Sequence, residues 1–250
     1  MPWLSSSDDM SERLFDVSAH VYAHRGLWDA TTPENSLAAF RAAHAAGVGV
    51  ELDVRLTVDE VPVVFHDASL ERMCKHREWI TAIPASELSQ WPLPDGSTIP
   101  TLGSVLDIMD DLPVLIELKV DRLAGQIAER VADVIAGRAG LLAVMSFDEP
   151  TVARLCRLVT DRPVGLLAIA DNQVEADIIA KAATARALGC DYIAPHHSAL
   201  EAIVDAAGGL PLVTWTVRTA EELALARKHG AAPIFEGFSP ALAMSSANTI

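Results

Sequence analysis

The chain has 250 residues, half of them hydrophobic, which suits one large domain with an extensive core. Its 34 acidic and 19 basic residues leave a formal net charge of −15. That charge argues against nucleic acid or an anionic lipid surface as a partner, because both are bound through clustered Lys and Arg.

In chain order, the opening Met1-Pro2-Trp3-Leu4, followed by Asp8 and Asp9, lacks the basic and apolar regions of a secretory signal. No later apolar run approaches the ~18 residues of a membrane span. Strands are expected at 20–24, 48–53, 61–66, 113–118, 141–146, 164–169, 191–194, 211–217 and 233–236. Amphipathic helical stretches fall at 34–46, 101–110, 121–137, 149–160, 173–188, 198–207 and 219–229. This alternation predicts an α/β fold, a parallel sheet covered by helices, and the length matches a (β/α)8 or TIM barrel as one domain over residues 1–250. Nine strand candidates exceed eight staves. The link from Asp53 to Val61 is too short for a crossover helix, so 51–66 reads as an irregular excursion in the barrel.

Local signals mark several boundaries. Thr32 is expected to cap the first helix with Pro33 at its first position, and Asp148 with Pro150 to open another. Gly189 and Gly230 are placed to stop two helices. Segment 68–100, with Pro84, Pro92, Pro94, Pro100, Trp79 and Trp91, reads as an insertion or lid after the third strand. Arg72, Lys75 and Arg77 make it locally basic, which would disfavour cationic alcohols, although a solvated loop is an equal alternative. Ser239 to Ile250 is expected to be loosely held. Cys74, Cys156 and Cys190 lack zinc spacing and read as reduced thiols, which points to the cytoplasm.

Four polar segments stand at the downstream ends of strands: His24-Arg25-Gly26, Glu51-Leu52-Asp53, His66-Asp67 and Glu117-Leu118-Lys119. Side chains alternate along a strand, so Glu51 and Asp53 share a face, as do Glu117 and Lys119. In a parallel barrel these ends converge on the carboxyl-terminal rim, where such barrels hold their chemistry. Glu51, Asp53 and Glu117 form an all-oxygen set suited to a hard divalent ion, Mg²⁺ or Ca²⁺. Arg25 and Lys119 could neutralise a phosphate, and His24 and His66 could serve as an acid–base pair. Asp67 points to the other face and is expected to orient its neighbours. Singly, each residue has a bland reading as a strand-end or surface group; together they point to metal-assisted phosphodiester cleavage. His44, His76 and His229 are expected to be structural, with His196-His197 a weak candidate at the rim.

These segments, with Pro33-Glu34-Asn35-Ser36, Pro62-Val63-Val64-Phe65-His66-Asp67, Ile99-Pro100-Thr101-Leu102, Ser146-Phe147 and Trp215-Thr216-Val217, resemble glycerophosphodiester phosphodiesterases from about residue 20 to about residue 237. The resemblance implies a phospholipase-C-like TIM barrel that releases glycerol 3-phosphate and an alcohol from a small-molecule glycerophosphodiester. It implies His24 and His66 as acid–base residues, Glu51, Asp53 and Glu117 as metal ligands, and Arg25 and Lys119 as phosphate contacts. Glu34 and Trp215 match further pocket positions. Two departures stand out: Asp59-Glu60 replaces an expected turn glycine, and Glu236-Gly237-Phe238 replaces an expected Thr-Asp ending. Rival readings are a phospholipase-D-like or cyclising enzyme acting on lysophospholipids, a metal-dependent aldolase or lyase, and a silent barrel that binds a phosphate metabolite. The headgroup and the oligomeric state are left open.

Overall fold

A computed structural model describes residues 15–121, 124–168 and 175–245. Nine strands are present: β1 (Tyr22–His24), β2 (Gly49–Leu56), β3 (Pro62–Val64), β4 (Val114–Leu118), β5 (Leu142–Ser146), β6 (Val164–Ala168), β7 (Tyr192–Pro195), β8 (Leu212–Val217) and β9 (Ala231–Phe235). Eight of them pair in parallel around a closed ring, β1-β2-β4-β5-β6-β7-β8-β9, and β9 returns to β1. This is the predicted TIM barrel. Residue 169 and the start of the helix expected at 173 lie outside the described residues.

The ninth strand explains the count. β3 runs antiparallel to β2, with Val54 opposite Val64 and Leu56 opposite Pro62, as a hairpin standing on the rim. At its turn Glu60 takes a left-handed conformation (φ 60°) that a glycine would adopt without steric cost, and its carboxylate pairs with Arg130 at 2.7 Å. His66 therefore reaches the mouth in the bend just past a returning strand and not at the end of a parallel stave.

Alternation along the staves separates two apolar clusters. Val50, Leu52, Val54, Val114, Ile116, Val144, Leu166 and Ile193 pack outward against the helices. Tyr22, Leu115, Met145, Leu167, Tyr192, Val213 and Ile234 fill the barrel interior. The surrounding helices are α1 (Leu37–Ala45), α2 (Glu71–Cys74), α3 (Leu102–Leu106), α4 (Ala124–Ile135), α5 (Glu149–Leu158), α6 (Glu175–Leu188), α7 (Leu200–Ala207), α8 (Ala220–Lys228) and α9 (Pro240–Met244). None of the described helices is long and apolar enough to cross a membrane.

Some boundaries depart from expectation. The cap of α1 is Ser36, whose hydroxyl accepts from the Ala39 N–H, and not Thr32. The chain between Arg25 and Ser36 is instead spent on the site described below. Asp148 caps α5 as expected. Segment 68–100 is an ordered excursion with its own core of Leu70, Ile80, Ile83, Leu88, Leu93 and Ile99, seated on Val63 and Phe65. Residues 239–245 are also held. Ser239 caps α9, and the Arg227 guanidinium donates to the carbonyls of Leu242 and Ser245 at 2.8 and 2.6 Å. Residues 246–250 lie outside the description.

Candidate active site

Register places the polar groups together. His24 is paired in register with Glu51 across β1–β2, and Asp53 with Glu117 across β2–β4. All four belong to inward positions of three adjacent staves, where the interior apolar cluster gives way to a cavity of about 320 Å³. Its wall includes His24, Arg25, Glu51, His66, Glu117 and Lys119 on one side, and Met145, Phe147, Leu167, Trp215 and Ile234 on the other.

The carboxylates are deeply set. Glu51 is 2 % exposed, Asp53 0 % and Glu117 7 %. One oxygen from each lies within 4.8 Å of the others. Asp53 is the most tightly bound: Lys119 Nζ is 3.0 Å from its Oδ1, Arg25 Nε is 3.1 Å from its Oδ2, and Asn35 donates to Oδ2 at 2.8 Å. Burial opposes its ionisation, but Lys119 and then Arg25 hold its carboxyl far below the ordinary range. Glu51 behaves in the opposite way. Burial, with the charges of Asp53 and Glu117, pushes its carboxyl well up. Glu117 is likewise pushed up, chiefly by burial, even though Lys119 sits 2.6 Å from its Oε1.

Three buried carboxylates thus face two fixed cations, and the deficit shows at Glu51 and Glu117. A divalent cation would correct it, and oxygen-only donors of this charge suit Mg²⁺ or Ca²⁺. The residues present therefore fit a metal ion.

Arg25 adopts φ 59° and Asn35 φ 55°, uncommon for non-glycine residues. Their backbones bond to each other, Asn35 N–H to the Arg25 carbonyl at 3.0 Å, while the Arg25 N–H bonds to the Glu51 carbonyl at 2.9 Å. Both side chains reach Asp53, which accounts for tolerating the strained backbone.

The family model of the glycerophosphoryl diester phosphodiesterase family matches residues 24–238. The chain belongs to that family. A Mycobacterium tuberculosis protein named "Probable glycerophosphodiester phosphodiesterase 1" is 31 % identical over 245 residues, covering 85 % of this chain and 86 % of the relative. Among solved structures, the glycerophosphodiester phosphodiesterase of Thermotoga maritima superposes with a TM-score of 0.70 at 27 % identity, covering 86 % of this chain and 92 % of that one. An Oleispira antarctica phosphodiesterase, solved with its product sn-glycerol-3-phosphate, shares the fold at a TM-score of 0.75 and 24 % identity, covering 87 % and 92 % of the two chains.

Against this family background, eight of the nine residues singled out from the sequence meet at the cavity or directly beneath it. Glu34 does not line it. Its carboxylate accepts from Arg25 at 2.9 Å and from Arg72 at 2.6 Å, so it braces Arg25 from behind. Trp215 lies on the apolar wall, its indole N–H donating to the Ala194 carbonyl at 2.9 Å and its ring edge-on to Phe147. His66 Nδ1 is 2.7 Å from Asp67 Oδ1, and the His66 carbonyl accepts from buried Arg55 at 2.7 Å. Burial lowers the His66 imidazole below its ordinary value, outweighing the attraction of Asp53. His196 lines the cavity beside Trp215, whereas His197 turns to Glu222 at 3.5 Å.

Sequence reasoning left Glu236, Arg218, Asn35 and Arg55 without roles. Asn35 stands inside a quoted motif, and Glu236 inside a quoted departure. Arg218 and Arg55 carried no local signal, because the contacts that define them come from other strands.

Proposed function

We propose that this enzyme hydrolyses glycerophosphodiesters to glycerol 3-phosphate and an alcohol, with His24 and His66 as its acid–base pair. The observation that carries this reading is the convergence of two imidazoles, three buried carboxylates and two cations on one cavity half-walled by apolar side chains. In the overall reaction an oxygen from water joins phosphorus, the bond from phosphorus to the alcohol oxygen breaks, and that oxygen gains a proton. One imidazole accepts a proton from the attacking water and the other supplies a proton to the leaving alcohol oxygen. Each carries a carboxylate on Nδ1, which leaves Nε2 for substrate.

Arg25 and Lys119 face the cavity and would bind the phosphate oxygens, with Glu34 holding Arg25 in place. Glu51, Asp53 and Glu117 would hold Mg²⁺ or Ca²⁺. Once bound, such an ion polarises a phosphoryl oxygen and offsets charge that develops on the phosphate. Met145, Phe147, Leu167, Trp215 and Ile234 exclude water from the facing wall, which strengthens every charge interaction inside. The whole chain works as one barrel domain, with 68–100 as an excursion that delivers Arg72 to Asp67 and Glu34. We place the enzyme in the cytoplasm, a reading supported by three free cysteines.

The test is a panel of glycerophosphodiesters followed by phosphorus NMR, with and without EDTA. Glycerol 3-phosphate should appear with at least one member, stop on chelation and return with added Mg²⁺ or Ca²⁺. Undiminished turnover of a metal-free preparation would overturn the metal assignment.

A further inference from the structure

The two imidazoles are supported in parallel ways from unrelated parts of the chain. His66 Nδ1 meets Asp67 Oδ1 at 2.7 Å, and Arg72 Nε donates to Asp67 Oδ2 at 2.6 Å. His24 Nδ1 meets Glu236 Oε2 at 2.5 Å, and Arg218 Nε donates to Glu236 Oε1 at 2.7 Å. Asp67 follows His66 directly, whereas Glu236 and His24 are 212 residues apart. The barrel closes that gap, because β9 and β1 are paired neighbours at its seam, Phe235 opposite the residue next to Tyr22.

We propose that Glu236, clamped by Arg218, is the positioning residue of His24. The inference rests on His24 being one of the acid–base pair. A carboxylate only accepts, so Nδ1 must carry the proton and the lone pair of neutral His24 must be on Nε2. Nε2 lies 3.9 Å from Glu51 Oε2, on the side of the cavity where the phosphate contacts stand. Without the Glu236 bond the ring would be free to turn or to exchange tautomers.

Two further observations support the assignment. Burial would raise the Glu236 carboxyl, but His24 and then Arg218 hold it at about 2, so it is an anion throughout the neutral range. Arg218 reaches the cavity and also lines, together with Glu236, a second hollow of about 440 Å³ walled by Leu27, Trp28, Phe235 and Phe238, so the pair joins the two. The Arg218 side chain is 53 % exposed, so its pairing adds little to stability and its removal should leave the fold intact.

The experiment compares Glu236→Gln, Arg218→Ala and Arg218→Lys, each alone and combined with His24→Ala, on a glycerophosphodiester that the wild type turns over. Glu236→Gln should lower kcat by roughly 10–100-fold, with KM within about twofold of wild type. Arg218→Ala should cost less, and Arg218→Lys should recover part of that loss. In the His24→Ala background Glu236→Gln should cost nothing further, because its partner is gone. At one fixed pH, nitrogen–proton NMR of wild type should show the His24 proton on Nδ1, with a shift that moves in Glu236→Gln. Penalties that multiply in the double variant, or a ring protonated on Nε2 with Nδ1 bare, would overturn the proposal. If the wild type turned over no glycerophosphodiester, the functional reading would fail separately, and the imidazole spectrum would still decide what Glu236 does.

Discussion

On β1, β2 and β4 the side chains turned into the mouth are His24, Glu51, Asp53 and Glu117, whereas β5, β6, β8 and β9 turn Met145, Leu167, Trp215 and Ile234 into the same cavity. The polar staves are direct hydrogen-bonded neighbours, so their ionisable groups sit a few ångströms apart and impose on one another's protonation. The apolar staves close the opposite side and keep the local dielectric low, which makes those mutual effects large. One half concentrates charge and the other makes it count. The difference also shows in how each half is held: buried ion pairs around Asp53 and Glu117 on one side, apolar packing with side-chain to backbone hydrogen bonds from Tyr192, Thr214 and Trp215 on the other.

The largest effect should come from removing the groups assigned to proton transfer in the charged half. His24→Ala and His66→Ala should each lower kcat by about 10²–10⁴. Their combination should fall far short of the product of the two losses if they act as a unit. Steady-state kinetics on one glycerophosphodiester checks this, and a near wild-type rate in either variant would remove that imidazole from the mechanism.

Next come two carboxylates that stand two residues apart and are predicted to respond with opposite signs. Glu51 has its carboxyl raised by burial and by Asp53 and Glu117. A raised value means that folding is favoured while the group is protonated, and that this advantage is lost as pH rises through the folded value. In metal-free protein at pH 7, Glu51→Gln should therefore raise Tm. Asp53 is held low by Lys119 and Arg25 against the opposing effect of burial, so its stabilisation is present above the unfolded value and fades as pH falls. Asp53→Asn should cost roughly 3–5 kcal/mol at pH 7, as expected when one partner of a buried pair is lost. Both variants should weaken divalent-metal binding. Calorimetric melts with and without EDTA read both signs in one series, and a shared sign would refute the division between the two residues.

This contrast shows what could be read from the chain. The gathering of His24, Glu51, Asp53, His66, Glu117 and Lys119 at one mouth was legible because strand alternation and strand ends are local properties, and polar groups there break an apolar pattern. The eight parallel staves were legible for the same reason. The antiparallel run of β3 was only half legible: the short link excluded a crossover, but nothing local gave its direction. Glu34 was assigned to the pocket by motif; its carboxylate stands behind Arg25, where the turn with left-handed Arg25 and Asn35 places it. Glu236 and Arg218 were out of reach, since their partners are set by closure of the barrel. The Ser36 cap was missed in favour of Thr32 because both are good caps, and tertiary contacts around Asn35 decide between them.

The apolar half can be probed at its floor. Gly165 on β6 faces the ring of Tyr192, and a Cβ at that position would lie well inside contact distance of the ring carbons. Tyr192 cannot yield easily, being fully buried and donating from its hydroxyl to the Val144 carbonyl at 3.1 Å. Gly165→Ala should destabilise by about 1–3 kcal/mol, lowering Tm by roughly 2–12 °C. Metal affinity should be unchanged, because the charged staves lie across the barrel. A parallel loss of metal binding would show that the two halves are mechanically coupled.

The smallest effects are expected from the basic residues of 68–100, which the sequence offered as a selector of the alcohol. The structure separates them. Arg72 is committed to Asp67 and Glu34 at 2.6 Å each, so its charge is spent on holding the supports of His66 and Arg25. Arg77 is 91 % exposed and pairs only loosely with Glu71 at 3.5 Å, while Lys75 donates to the Arg72 carbonyl at 3.0 Å. Exposed charges of this kind are well screened. Lys75→Ser with Arg77→Ser should therefore leave the ratio of kcat/KM for glycerophosphocholine and glycerophosphoinositol within about twofold of wild type. Arg72→Ser should lower kcat/KM for both substrates alike, because it loosens catalytic supports without touching the alcohol. A shift of the ratio in the Lys75/Arg77 variant would restore the loop as an electrostatic selector. A constant ratio moves attention to the other face of the mouth, where Trp28 and Phe238 border the hollow beside Glu236 and can select by shape and apolar area in place of charge.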